Sequence, residues 1–355
     1  MQQNSSQRGA QMNPSNRFDK NVYGQFNVEG IVEWEPKHQA GEKKTVFYEK
    51  HAKTIVNKVT SPDIPFTYSL NPYQGCEHGC VYCYARNSHE YWGFSAGQDF
   101  EQKIIIKKNA PEKLEALFRS KKWKCAPISL SGNTDCYQPV ERKQKITRRL
   151  LEICLKYQNP VGIITKNKLI LRDLDLLKKL NEKNLVQVYI SITGIDEKIR
   201  RKLEPRTATY LARFEVIKQL SEAGIPVGVM NAPIIPGLND QAMYEVLRQA
   251  NIHGAKVAGY TTVRLNGAVG PIFTDWIQKA FPLKAEKVLS LISDMHYGKI
   301  NNSKFGERMR GSGNLAHLIK QQFDKYSKQF GLNQEEFTYN TSEFIRHQPG
   351  QMRLF

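Results

Sequence analysis

The sequence predicts an α/β protein built as a partial, open (β/α)6 barrel, with an N-terminal extension before it and helices after it. Two observations carry this. From Pro65 onward short apolar runs alternate with amphipathic stretches of ten or more residues, the pattern of parallel strands joined by helical crossovers. Six such units are visible, fewer than the eight of a closed barrel, and each polar cluster falls at a strand C-terminal end, where barrel enzymes build their sites.

Residues 1–20 are rich in Gln, Asn and Ser and are expected to form a flexible tail, because so few apolar groups cannot offset the entropy of ordering. Residues 21–64 carry isolated apolar groups (Ile31-Val32, Val46-Phe47-Tyr48, Ile55-Val56) and read as an extension packed on the barrel. The barrel is expected over residues 65–270. Its first strand is Phe66–Leu70, leading into a cysteine loop whose end, Cys80–His89, opens the first helix. Pro127–Leu130 is the second strand, followed by a helix whose apolar face is Ile146, Leu150, Leu151, Ile153 and Cys154. Val161–Thr165, Val186–Ser191, Ile225–Met230 and a strand beginning at Ala255–Tyr260 complete the set, with Gly224 ending the helix before the fifth. Residues 271–345 read as helical, with runs at Ala285–His296 and Leu315–Phe330, and residues 346–355 as a tail.

The chain has 355 residues, 40% of them hydrophobic and 10% aromatic, enough apolar material for a large core. No run approaches the roughly 20 apolar residues of a membrane span, and the N-terminus lacks a signal-peptide core, so a cytoplasmic protein without membrane attachment is expected. Lysine and arginine number 52 against 34 acids, and the net charge of +18 favours polyanions such as nucleic acid. The basic stretches Lys103–Lys124, Arg142–Arg149 and Lys198–Arg213 read equally as solvated faces of surface helices.

Three of the six cysteines, Cys76, Cys80 and Cys83, stand in the segment Asn71–Arg86 at C-x3-C-x2-C spacing. Gly75 and Gly79 permit the backbone turns that wrap a compact cluster, and their amides are candidate donors to it. Zinc is the competing metal, but a closed zinc site takes four ligands and no second pair is present; His78 would strain a tetrahedral wrap. Three thiolates on a four-iron cluster leave one iron open, and the amino and carboxylate groups of S-adenosylmethionine can chelate it. Cys125, Cys136 and Cys154 read as buried thiols.

With Tyr82 as the aromatic residue before Cys83, the loop resembles that of the radical S-adenosylmethionine (radical SAM) superfamily. The resemblance covers about residues 65–270. Asn71–Arg86, Leu130–Glu141, Leu203–Arg206 and Ala232–Asp240 resemble the branch related to spore photoproduct lyase, often labelled DNA repair photolyase. It implies a 4Fe-4S cluster on Cys76, Cys80 and Cys83, reductive cleavage of S-adenosylmethionine to a 5′-deoxyadenosyl radical, lyase-like or repair-like chemistry, and an external flavodoxin- or ferredoxin-like electron donor.

The resemblance assigns cofactor contacts to Ser131, Asn133 and Thr134 after the second strand, to Lys166 after the third, to Ser191 at the end of the fourth, and to Tyr82, Tyr84 and Arg206. Each has a plain alternative: Ser131–Asp135 an ordinary turn, Lys166 a solvated lysine at a helix start, Arg206 a structural ion pair. The lyase places a hydrogen-donating cysteine just after the second strand, and here that position falls on Gly132. Cys136 and Tyr84 are the candidate hydrogen-atom relays in its place, with a buried structural thiol as the rival role for Cys136. The alternative function is a non-catalytic iron–sulfur or zinc module that binds nucleic acid.

Overall fold

A computed structural model describes residues 8–18 and 44–346. Ten strands are present among them: β1 (Val46–Lys50), β2 (Val56–Lys58), β3 (Tyr68–Leu70), β4 (Tyr73–Gln74), β5 (Lys103–Lys107), β6 (Ile128–Leu130), β7 (Val161–Thr165), β8 (Val186–Ser191), β9 (Val227–Ile234) and β10 (Val257–Thr262). Seven form one sheet in the order β10-β9-β8-β7-β6-β3-β2. The six from β3 to β10 run parallel and β2 joins β3 antiparallel, so the (β/α)6 barrel core of the sequence reading is present with one added edge strand.

Val161–Thr165 and Val186–Ser191 coincide with the expected strands because both are short, largely apolar and rich in β-branched residues, as strands covered on both faces are. β9 and β10 start two residues later than expected and extend to Ile234 and Thr262. Gly224, at φ +76°, follows the helix Tyr210–Glu222 as expected. The crossover helices Ile146–Tyr157, Leu174–Asn181, Tyr210–Glu222 and Met243–Ile252 lay Leu150, Leu177, Leu220 and Leu247, all fully buried, into one hydrophobic core with the strands.

Three expectations need correction. Residues 8–18 do not behave as a tail: Glu101 accepts hydrogen bonds from Gly9 N (2.9 Å) and Ala10 N (2.7 Å), and Asn16 donates to Glu90 O (2.8 Å). Residues 1–7 and 19–43 lie outside the described residues, as do 347–355 of the C-terminal tail. The basic stretch from Lys103 opens with strand β5 and not a helix, since Ile104-Ile105-Ile106 is β-branched and buried; β5 pairs with β1 and β4 in a second sheet. After the cysteine loop comes a 3-10 helix, Tyr84–Trp92, which begins four residues beyond Cys80.

The open side of the barrel lies between β10 and the β2–β3 connection, and the segment after the helix Pro282–Asp294 crosses it. Thr262 N, at the end of β10, donates to Met309 O (3.0 Å), while Asp63, between β2 and β3, accepts from Gly306 N (2.7 Å) and Arg308 Nε (2.5 Å). Asn333 covers the β10 edge, its amide exchanging two hydrogen bonds with Ala258 (2.8 and 3.1 Å) as a neighbouring strand would.

Candidate active site

The cysteine loop leaves β3 at the strand's C-terminal end and is tied to the second sheet. Cys76 N donates to Phe100 O (2.9 Å) just before β5. Gly75 and Gly79 adopt φ of +77° and +68°; a Cβ on Gly75 would meet Phe100 O at 2.9 Å, and one on Gly79 would meet Glu101 Oε2 at 2.8 Å. Both positions therefore require glycine for conformation and for space. Behind the loop Arg86 donates from Nε and Nη2 to Cys80 O (3.0 and 2.9 Å) and from Nη2 to Glu101 Oε1 (2.5 Å). Both residues of this ion pair are fully buried.

Cys76 and Cys80 are buried and Cys83 is half-buried, all as free thiols. Burial pushes all three thiols up, Cys80 to about 12, and Lys166 and Arg213 oppose the shift at Cys80. The N–H of His78 faces the Cys76 sulfur, and those of Ala85 and Arg86 face Cys83. Gly79 N is directed at Cys76 O (3.4 Å). Among the described residues no three His, Cys, Asp or Glu side chains converge as ligands of a single metal ion. A polynuclear cluster, with its ligands distributed over several irons, does not need such convergence. His78 has both ring nitrogens occupied: Nδ1 lies 3.4 Å from Asp135 Oδ2, and Nε2 lies 3.2 Å from Asn167 Nδ2. Burial lowers it to about 4, so it is neutral, donating to Asp135 and accepting from Asn167.

Ser131 sits at φ +70°, a strained value for a residue with a Cβ, and its Oγ accepts from Cys136 N (2.7 Å). Asn71 Oδ1 accepts from Asn133 N (2.8 Å) and Thr134 N (3.3 Å), joining this turn to the cysteine segment. The Asn133 amide donates to Ser88 Oγ (3.0 Å), whereas Thr134 Oγ1 is buried and donates to Tyr73 O (2.7 Å). Lys166 enters the barrel: Nζ donates to Ser191 Oγ (2.9 Å) and lies 5.9 Å from the centre of the Tyr82 ring. Ser191 Oγ donates in turn to Ala232 O (3.2 Å).

Arg206 pairs with Glu77 at 3.4 Å and donates its N–H to His78 O (3.2 Å), the structural ion pair named as its alternative. The deeply placed acid of that segment is Glu204. It is fully buried, accepts from the Tyr82 hydroxyl and pairs with Arg213 Nη2 at 2.6 Å. Burial alone would raise Glu204, but Arg213, Lys166 and the Tyr82 hydroxyl outweigh it and hold the carboxyl below its usual range. Sequence reading missed Glu204 and Arg213. Their signal was an acid inside a quoted motif and an arginine between Ala212 and Phe214, both obscured by a run that looked like a solvated face.

Tyr84 is about half exposed, and its hydroxyl donates to Gly132 O (2.6 Å). It lines a hollow of about 480 Å³ with Asn133, Ser88, Asn87 and Asn266. Cys136 is fully buried in the main core and does not face this hollow.

A six-stranded parallel barrel with a three-cysteine loop after its first strand, and polar groups gathered at the same end, defines a class of cofactor-dependent enzyme. The profile of the Radical SAM superfamily matches residues 70–250. The chain belongs to the radical SAM superfamily and is a radical SAM enzyme. An uncharacterized protein of Mycobacterium tuberculosis is 32% identical over 239 residues, 66% of this chain and 70% of that one. One from Methanocaldococcus jannaschii is 31% identical over 189 residues, 53% of this chain and 68% of the other. Spore photoproduct lyase in complex with a dinucleoside spore photoproduct is similar in fold, with a TM-score of 0.59 and 15% identity over 81% of this chain and 80% of that one. Membership sets aside the non-catalytic zinc or iron–sulfur module as a reading of the chain. No described helix is long and apolar enough to cross a membrane.

Proposed function

We propose that the chain holds a 4Fe-4S cluster on Cys76, Cys80 and Cys83 and uses it to cleave S-adenosylmethionine to a 5′-deoxyadenosyl radical in the cytoplasm. The observation that carries this is one loop presenting three free thiols at the barrel mouth, two of whose sulfurs meet backbone N–H groups. Amides directed at sulfur stabilise thiolate ligands and tune a cluster's potential, and a three-cysteine loop leaves one iron for a chelating substrate. When bound and reduced by a flavodoxin- or ferredoxin-like donor, the cluster supplies the electron that breaks the carbon–sulfur bond.

The chain's own groups bind and orient. Lys166, held by Ser191, offers an ammonium to the methionyl carboxylate, and the Asn133 amide, on the turn strained at Ser131, receives the amino group. Tyr82, fixed by Glu204, presents its ring to the cofactor. Thr134 and Arg206 serve the site through the loops they hold. Tyr84, at the hollow, is the hydrogen-atom relay in preference to the enclosed Cys136. The substrate is nucleic acid, supported by the +18 balance; salt-sensitive oligonucleotide binding is expected, and no binding at low salt defeats this part.

Anaerobic reconstitution followed by dithionite is expected to yield 5′-deoxyadenosine from S-adenosylmethionine, and alanine at any of Cys76, Cys80 or Cys83 to abolish it. No 5′-deoxyadenosine from a fully loaded cluster defeats the proposal.

A further inference from the structure

Arg264 follows β10, at the end of the barrel where the cysteine loop follows β3. Its guanidinium carbon lies 6.0 Å from the centre of the Tyr84 ring, Nη1 meets Met309 Sδ at 3.4 Å, and Nε is buried with no hydrogen-bond partner. Among the described residues no carboxylate forms an ion pair with it. Asp63 is close enough to be felt, but its two oxygens are taken by Arg308 Nε and Gly306 N. Glu307 is engaged by Lys304 and Asn302. Arg308 adds like-charge repulsion. A half-buried guanidinium with no counter-ion and a second cation beside it is costly, and folding alone gives no reason to keep it.

The surroundings suggest what offsets that cost. Arg264 stands behind the walls of two hollows and is not itself on them: Tyr84, whose ring the guanidinium approaches, lines the hollow of about 480 Å³, and His296 lines a second hollow of about 380 Å³ with Lys299 and Lys304. The two hollows share Asn301 and Ser303. Asn266 Oδ1 and Asn301 Oδ1, both on these walls, are buried acceptors without donors. A buried polar atom left without a partner calls for one, and a bound molecule in the adjoining hollow can supply it.

We infer that Arg264 receives an oxyanion of the substrate, a phosphate or a carboxylate, while Asn266 and Asn301 accept N–H or O–H groups of the same molecule. Arg264 is then a substrate-binding residue at the mouth, separate from the Lys166–Ser191 pair that faces S-adenosylmethionine. The inference rests on the reading that substrate meets the radical in the hollow beside Tyr84.

The test uses reconstituted protein with its cluster oxidised and no reductant, so it does not depend on radical formation. Titration calorimetry with inorganic phosphate and with acetate is applied to the wild type, Arg264→Lys and Arg264→Met. At least one anion is expected to bind the wild type, several-fold more weakly to Arg264→Lys and at least tenfold more weakly to Arg264→Met. Preference for phosphate names a phosphate ester as the source, and preference for acetate a carboxylate. Without added anion, Arg264→Met is expected to melt about 1–2 °C higher, because an unpaired charge has been removed. Equal anion binding by wild type and Arg264→Met, no binding of either anion by the wild type, or a melting point lowered by several degrees in Arg264→Met overturns the inference. Each of those results leaves 5′-deoxyadenosine formation untouched as the separate test of the radical chemistry.

Discussion

His89 makes the packing beneath the cysteine loop sensitive to acid. It lies on the 3-10 helix Tyr84–Trp92, fully buried, with its ring centre 5.2 Å from that of Phe94 and 5.6 Å from that of Phe100, whose carbonyl holds Cys76 N. Neither ring nitrogen has a hydrogen bond of ordinary geometry, and burial, only partly opposed by the charge and backbone of Asp99, lowers the imidazole from 6.5 to about 4. Between those values the unfolded chain binds a proton that the folded chain refuses, so stability is retained above pH 6.5 and lost as pH falls toward 4. At 1.36 kcal/mol per unit the full window is worth about 3 kcal/mol, and the fall from pH 7.5 to pH 5.0 about 2 kcal/mol. Phenylalanine fills the same aromatic nest and does not titrate. Urea unfolding of wild type and His89→Phe at both pH values isolates the effect, because every other acid-sensitive group cancels in the double difference. His89→Phe is expected to be the more stable at both, with its advantage about 2 kcal/mol larger at pH 5.0. An advantage that does not grow as pH falls refutes the assignment of His89 as a neutral, desolvated group.

Gly75→Ala places a methyl group 2.9 Å from Phe100 O and 3.0 Å from Lys103 O at a φ of +77°; a loss of about 1–3 kcal/mol and a lower iron content after reconstitution are expected, read by thermal melting and iron analysis. Glu204→Gln leaves Arg213 buried without its counter-ion, and a destabilisation of about 3–5 kcal/mol is expected in urea unfolding. Because the Glu204 carboxyl is held below its usual range, its contribution is present at neutral pH and lost as pH falls through the folded value; the gap between wild type and Glu204→Gln should narrow in acid. Cys136→Ala is expected to cost about 1–2 kcal/mol in melting experiments as a lost core side chain, and an unchanged melting point would argue that the thiol is held for chemistry.

The parts legible in the sequence were those that short-range pattern dictates. Val161–Thr165 and Val186–Ser191 are short apolar runs, the second broken only by Gln187, and their length and β-branched content identify them; the cysteine spacing is equally local. The second sheet was not legible, because β5 is five residues long with a lysine at each end, and its partners β1 and β4 are distant or only two residues long. Pairing of that kind is decided by tertiary contact, which propensity does not report. The N-terminal segment was misread for a related reason. Gly9 and Ala10 dock through backbone N–H groups onto Glu101, and such contacts leave no hydrophobic signature.

Charge was the most misleading signal at the site itself. A run such as Lys198–Arg213 carries the composition of a solvated face, yet Arg213 is fully buried against Glu204 and Arg200 is buried against Thr207 O. Arg86 repeats the pattern with Glu101. The partners stand nine and fifteen positions apart, beyond one helical turn, so neither looks paired until the chain folds; Arg264 differs from these two in that folding brings it no carboxylate within ion-pair distance. Arg86 and Arg213 hold the cysteine loop and Tyr82 at one fixed geometry, a stiffness that an enzyme handling a radical requires if its cofactor is not to move relative to substrate. Arg86 and Arg213, with their partners, thus set where the reaction starts, and the proposal places the substrate beside Arg264.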